Sequence, residues 1–379
     1  MDAPLKGLKV LELARILAGP WIGQTLADLG AEVIKIESPS GDDTRKWGPP
    51  FVSGDSGDAA YFHACNRGKK SVIVDFSKPE GQEIIKKLAM QSDVLIENFK
   101  LDGLKKYGLD YDSLHKINPE LVYCSITGFG QTGPYAHRPG YDFIIQGMSG
   151  MMDLTGEPDG PPQKPGVAIA DIFTGLYGVI AIQAALAQRK NTGKGQHIDM
   201  ALFDSMVAVM ANQAQGYLAT NEVPKRMGNA HPSIVPYQVF PASDGHLIIA
   251  AGNDGQFVNL CKALDIPETG MDPDYLTNSA RVQNRAALVE IITGKTGKIR
   301  RDELLVLLEN AKVPVGPINT IQDVFNDPQI IHRGMEIDLS SGPTSGLRSP
   351  MRFSGADLNL ARPAPELGQH TNEVLNKLG

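Results

Sequence analysis

Asp171 is the residue whose type and setting best suit covalent chemistry. It stands in Ala170-Asp171-Ile172-Phe173-Thr174-Gly175, at the mouth of a long apolar stretch with helical spacing. A carboxylate there fits two roles. As an N-cap it accepts hydrogen bonds from the free N–H groups of the first turn. As a nucleophile it attacks a carbonyl in its anionic form, which a helix N-terminus favours by roughly 0.3–1 kcal/mol. The roles are compatible, and the local pattern leaves both open.

Other motifs carry less. Gly128-Phe-Gly130-Gln-Thr-Gly133 fits G-x-G-x-x-G, but a dinucleotide site needs a helix to open there. Pro134 and a loop over 135–140 follow instead. Gly54-Asp-Ser56-Gly57 reads as a polar surface turn, and Gly147-Met-Ser149-Gly150-Met151 lacks the last glycine of a hydrolase elbow. The eight histidines form no HxH or HExxH, so no metal site is expected; His197 and His370 read as local hydrogen-bonding residues. Cys65, Cys124 and Cys261 are widely spaced, which points to a reducing compartment and to small buried apolar residues.

The elements that must position Asp171 follow from periodicity. Short apolar runs at 8–13, 31–36, 71–75, 93–97 and 121–126 alternate with helix-like stretches. That alternation predicts βαβ units and a parallel sheet, with ligands at the C-terminal ends of its strands. A long helix is predicted over 172–189 and another over 200–218. Residues 224–236 read as a connector, with a strand at 246–251 and a closing helix at 367–378. A single core stops growing near ~250–300 residues, so 379 residues imply two units. The expectation is an α/β protein: a Rossmann-like large domain over 1–222, completed by 326–379, and a smaller α+β domain over 223–325.

Composition narrows the class. With 42% hydrophobic and 21% charged residues the chain is neither disordered nor fibrous. A net charge of −7 gives no global basic field for nucleic acid, although a local basic patch is enough for an anionic ligand. Residues 167–188 carry one charge, Asp171, but also Thr174, Gly175, Gly178 and Gln183. They read as a buried helix, not a membrane span. The N-terminus has neither signal-peptide nor transit-peptide character, so a soluble cytoplasmic protein is expected.

Taken in order, the motifs resemble the family III CoA-transferases, the CaiB/BaiF family. They are Leu17-Ala-Gly-Pro20, Leu29-Gly-Ala-Glu-Val-Ile-Lys-Ile-Glu37, Asn66-Arg-Gly-Lys-Lys-Ser71, Glu97-Asn-Phe99, Ile126-Thr-Gly-Phe-Gly-Gln-Thr-Gly-Pro134, Pro139-Gly-Tyr-Asp142, Ala170-Asp171, Thr192-Gly-Lys-Gly-Gln196, Val315-Gly-Pro-Ile-Asn319 and Leu367-Gly-Gln-His-Thr371. The resemblance runs nearly end to end. It implies that Asp171 attacks an acyl-CoA thioester and that the reaction passes through a mixed anhydride and an aspartyl-CoA thioester. It also implies an interlocked homodimer. Coenzyme A and acyl-CoA enter as substrates alongside a small carboxylic acid, with no tightly bound cofactor.

The same resemblance assigns CoA contacts to Leu17, Ala18, Val74, Asn98, Phe99 and Tyr141. Ser38, Asp75, Lys78, Lys100 and Lys106 join them near the polyanionic end. Ser38 and Ser77 depart from basic residues in some members, which makes Lys78 a candidate substitute. Lys69, Lys70 and Lys105 are further basic residues at the ends of early βα units. Gly252, Asn253 and Gly255 lie in Gly252-Asn-Asp-Gly-Gln256, which is similar to the family's mobile loop and also fits an ordinary strand-to-helix turn.

Two alternatives remain open. A 2-methylacyl-CoA racemase pairs a histidine with its aspartate, but Tyr141 holds that histidine's position here, and tyrosine, with a pKa near ~10, is a poor neutral-pH base. A non-catalytic CoA-binding protein would not need Asp171. The 250–257 segment and Asn284-Arg285 look like members that use succinyl-CoA and dicarboxylic acids. A second carboxylate calls for an arginine, and Arg15 and Arg67 are the candidates.

Overall fold

The structure is a computed structural model that describes residues 1–52, 57–339 and 342–378. Gly54 to Ser56 of the Gly54–Gly57 motif lie outside the described residues. The chain divides into two compact units. One comprises Met1–Met151, Lys164–Glu222 and the chain from Pro328; the other comprises Met152–Gln163 and Val223–Asp327.

The first unit is built on six parallel strands: β1 Lys9–Glu12, β2 Glu32–Glu37, β3 Lys70–Ile73, β4 Val94–Glu97, β5 Val122–Thr127 and β6 His197–Ala201. Their order is β3-β2-β1-β4-β5-β6, the order of doubly wound dinucleotide-binding sheets. The central strands are near-continuous apolar runs because helices cover both faces. Alternate residues serve opposite cores. Val10, Ile96 and Cys124 pack on one side with Ile22, Leu26, Val179 and Ile182. Leu11, Leu95 and Tyr123 pack on the other with Ile85, Leu88 and Val374.

Within this sheet, β6 is the strand the periodicity missed. It lies at the sheet edge, half-buried, with His197 and Asp199 interrupting its apolar residues. The predicted 200–218 helix is two helices, Leu202–Val209 and Ala211–Thr220. The chain breaks at Ala211, whose φ is +43°.

The long helix is Ile169–Thr192, closed by left-handed Gly193. By length and composition it could cross a membrane. Its Ala170, Gly178, Val179, Ile182 and Ala185 are buried instead. Its glycines set its distance from helix Ala18–Asp28: a Cβ on Gly175 would lie 3.0 Å from the Ala18 carbonyl oxygen, and one on Gly178 2.4 Å from Ile22 Cδ1. The C-terminal segment returns to the edge strand β3, where His370 N–H donates to the Ser71 carbonyl at 2.9 Å.

The second unit holds an antiparallel sheet of β7 Tyr237–Ala242, β8 Gly245–Ala250 and β9 Val315–Pro317, with β8 central. Pro241 and Pro317 lie in the edge strands, where no ladder donor is required. Phe240, Leu247, Ile249, Phe257, Leu288 and Leu304 form its own core.

Candidate active site

The long helix starts one turn earlier than its apolar spacing suggests, which puts Asp171 inside the first turn. Asp171 is therefore not the N-cap. The free N–H groups of Ala170 and Asp171 donate to Asp142 Oδ1, at 2.8 and 3.4 Å. Asp142 opens helix Asp142–Met148, and its other oxygen accepts from Gln146 Nε2 at 2.7 Å. With Asp142 doing the capping, the Asp171 carboxylate has no hydrogen bond or ion pair among the described residues. It is half-buried. Burial first, and then the charge of Asp142, push its pKa up to about 7.

Asp171 lines a cleft of about 430 Å³, within the usual range for a small-molecule site. The cleft opens where β1 and β4 adjoin and the chain connections diverge to either side, the switch point at which doubly wound sheets bind ligands. Arg15 to Ala18, after β1, form one wall. Asn98 to Leu101, after β4, form the next, and Thr127, Gly128 and residues 136–141 close it beyond β5. Asn98 grips Arg15 at both backbone groups: Arg15 N–H donates to Asn98 Oδ1 at 2.9 Å, and Asn98 Nδ2 donates to the Arg15 carbonyl at 2.6 Å. Glu97 accepts from Phe99 N–H at 2.8 Å, and burial raises its carboxyl to about 7.

The Gly128–Gly133 segment serves close approach here. A Cβ on Gly128 would lie 2.5 Å from Gly140 Cα, so the two backbones touch and turn the 136–141 loop into the cleft. Trp47 also lines the cleft, edge-on to Tyr61 at 5.4 Å. Burial, with the Asp171 charge adding, raises the Tyr61 phenol.

Of the residues singled out from sequence, Arg15, Leu17, Ala18, Asn98, Phe99, Lys100 and Tyr141 line this cleft with Asp171. The others do not, although several follow strands at the same edge of the sheet. Ser38 follows β2, with its hydroxyl 2.9 Å from Ser40 Oγ. Val74 follows β3 and is buried. Asp75 accepts from Ser77 N–H at 3.2 Å and pairs with Lys78 at 3.3 Å. Lys106 lies 4.7 Å from the Tyr107 ring centroid. In the second unit, Asn253 caps helix Asp254–Ala263 by accepting from Gln256 N–H at 2.9 Å. Gly252 N–H donates to Gln256 Oε1 at 2.8 Å, and Gly255 lies inside the helix.

Three expectations need correcting. Arg67 is not free for a substrate carboxylate: it is buried, pairs with Asp28 at 2.6 Å and donates to the Leu347 carbonyl at 2.5 Å. Lys69 is buried against Glu12 at 2.9 Å. Lys70 pairs with Glu373 at 2.9 Å. The structure adds Trp47, His137, Arg138 and Asp142 to the cleft. Only Asp142 had a sequence signal, as the last residue of Pro139-Gly-Tyr-Asp142. His197 and His370 are local hydrogen-bonding residues: His197 Nε2 is 2.8 Å from Ser125 Oγ, and His370 Nδ1 accepts from Ser71 N–H at 3.3 Å.

A parallel sheet, a switch-point cleft and an unpaired carboxylate at a helix mouth define an α/β enzyme suited to acyl chemistry on an anionic ligand. The chain belongs to CoA-transferase family III, whose pattern matches residues 5–371. It is 55% identical to the succinate–glutarate CoA-transferase of Agrobacterium fabrum, over 99% of this chain and 96% of that one. It is 45% identical to the human succinyl-CoA:glutarate CoA-transferase, over 99% and 86%. A crystal structure of a CaiB/BaiF family protein from Brucella suis superposes with a TM-score of 0.91 at 62% identity, covering all of both chains. The protein is a CoA-transferase that moves CoA from an acyl-CoA to a carboxylic acid.

Proposed function

We propose that Asp171 is the nucleophile of this exchange. The observation that carries the reading is the unpaired carboxylate of Asp171 in the same cleft as Asn98, Phe99 and Tyr141. An Asp171 oxygen attacks the thioester carbonyl carbon, the C–S bond breaks, and an acyl-aspartyl anhydride and CoA thiolate form. The thiolate attacks Asp171 Cγ and expels the first acid, leaving an aspartyl-CoA thioester. The acceptor carboxylate attacks that Cγ and releases the thiolate, which then takes the new acyl group and frees Asp171. Keeping each acyl group on the enzyme shields it from water. Helix Ala18–Asp28 starts in the cleft wall with no side-chain cap, and the N–H groups of Ala18 and Gly19 are the donors for the oxyanions, since Pro20 has none and Trp21 N–H is bonded to the Leu17 carbonyl at 2.7 Å.

The substrates are the CoA ester of one C4–C5 dicarboxylic acid and a second such acid as acceptor, as the names of the relatives suggest. Arg15 supports this reading: it lines the cleft, pairs at the surface with Asp43 at 3.2 Å and has its guanidinium 5.5 Å from the Phe99 ring centroid. Leu17, Ala18, Asn98, Phe99, Lys100 and Tyr141 hold the thioester arm. Ser38, Val74, Asp75, Lys78 and Lys106 carry the nucleotide end along the same sheet edge. Residues 1–151, 164–222 and the chain from 328 form the CoA-binding domain, and 152–163 with 223–327 the smaller one, within an interlocked cytoplasmic homodimer.

Asp171→Ala tests the nucleophile: exchange is lost while CoA binding, measured by calorimetry, is retained. Unchanged exchange would leave only a CoA-binding role for the cleft. Assay of succinyl-CoA against mono- and dicarboxylic acceptors tests the substrate class, and activity with monocarboxylates alone would remove it.

A further inference from the structure

Beneath the cleft lies a group of buried charges that the exchange does not use. Glu12, Glu37 and Asp42 meet Lys35, Arg45 and Lys69, all sealed from water. Lys35 Nζ is the hub. It pairs with Glu12 at 3.1 Å and with Asp42 at 2.9 Å, and donates to the Ala14 carbonyl at 2.9 Å. Six buried charges are a poor way to stabilise a core, since apolar residues of similar volume usually do as well or better. Their arrangement points to a positional task.

That task is visible at Ile16. Its φ is +72°, and among the described residues it is the only β-branched one in the left-handed region, where such side chains are strained. Ile16 N–H donates to the Asp42 carboxylate, at 3.4 Å to Oδ1 and 3.3 Å to Oδ2. Asp42 is itself fixed by Lys35, by Thr44 N–H at 3.0 Å and by Thr44 Oγ1 at 2.8 Å. On either side of Ile16, Arg15 and Leu17 line the cleft.

We propose that Asp42, braced by Lys35, is a positioning residue. It holds Ile16 left-handed and so fixes the turn over residues 15–18 that forms one wall of the Asp171 cleft. The proposal rests on that cleft being the site of exchange.

A double-substitution cycle on the full-length enzyme tests it. Asp42→Asn keeps the shape and loses the charge; Ile16→Gly makes the left-handed conformation free of strain. With Ile16 present, Asp42→Asn lowers kcat/KM for CoA exchange by roughly five- to a hundredfold, the weight of a strained conformer no longer held. In the Ile16→Gly background the same change costs less than about twofold. Thermal stability falls alike in both backgrounds, because the charge network is broken in both, so the rescue appears in the rate alone. An equal rate loss in both backgrounds, or none in either, overturns the proposal. Should Asp42→Asn fail to fold, Thr44→Val, which leaves every charge in place, runs the same cycle. Asp171→Asn is assayed in parallel. Exchange surviving that change refutes the cleft reading, whereas exchange lost there with no rescue by Ile16→Gly refutes the positioning role alone.

Discussion

A carboxylate proposed to attack has to lose its proton, yet the surroundings of Asp171 resist that loss. Burial and the neighbouring Asp142 hold its pKa near 7, so kcat/KM should rise with pH through about 7 and level off above it. Asp142→Asn keeps an oxygen on the Ala170 N–H and removes the like charge, so the midpoint should move to lower pH. A pH–rate profile on both enzymes checks this. The same shift has a stability consequence. An acid whose folded pKa lies above its unfolded ~3.9 favours folding below that value and loses the advantage as pH rises through 7. Asp171→Asn should therefore raise Tm at about pH 8 and leave it nearly unchanged at about pH 4. The expected gain is roughly 1–3 kcal/mol, discounted because the side chain opens to the cleft. Asp171 stood out as a carboxylate at the mouth of a long apolar helix, but the local pattern left cap and nucleophile both open, and the nucleophile reading came through the family resemblance. That Asp142 would cap the helix was not legible, since the two residues meet only after folding. Arg67 misled for the same reason: nothing local announces its burial against Asp28.

Between elements, contact distances carry the energy. Gly23, in helix Ala18–Asp28, lets the Glu12 carboxylate approach; a Cβ there would stand 1.7 Å from Glu12 Oε2. Gly23→Ala should then break the Glu12 pairs with Lys35 and Lys69 and cost roughly 3–5 kcal/mol, as loss of a buried ion-pair partner does. Denaturant unfolding measures it, and a loss below about 1 kcal/mol would show that the network yields. The strands over the first 130 residues were readable because strands buried on both faces are mostly apolar. β6 was hidden because an edge strand tolerates His197 and Asp199. β7 was hidden because Pro241 argues against a strand except at an edge, and edges are set by tertiary order.

At the scale of the whole molecule, the first unit carries several large apolar side chains at its surface on two helices. Phe143 and Ile144 on helix Asp142–Met148, and Leu176, Tyr177 and Ile180 on the long helix, are all at least one-third exposed. Such patches mark interfaces. Sedimentation should give twice the chain mass of 40.8 kDa, and mixed labelled subunits should exchange slowly if the rings are threaded. A monomer at micromolar concentration would contradict the dimer. Two units were foreseeable from length alone, whereas the expectation that two chains pair came only from the family resemblance. The central claim, that Asp171 carries CoA in turnover, is tested most directly by mass spectrometry of the enzyme quenched with succinyl-CoA. The account predicts a CoA adduct on the Asp171 peptide that hydroxylamine removes and Asp171→Asn lacks. Full turnover with no adduct at Asp171, or the same adduct on another residue, would contradict it.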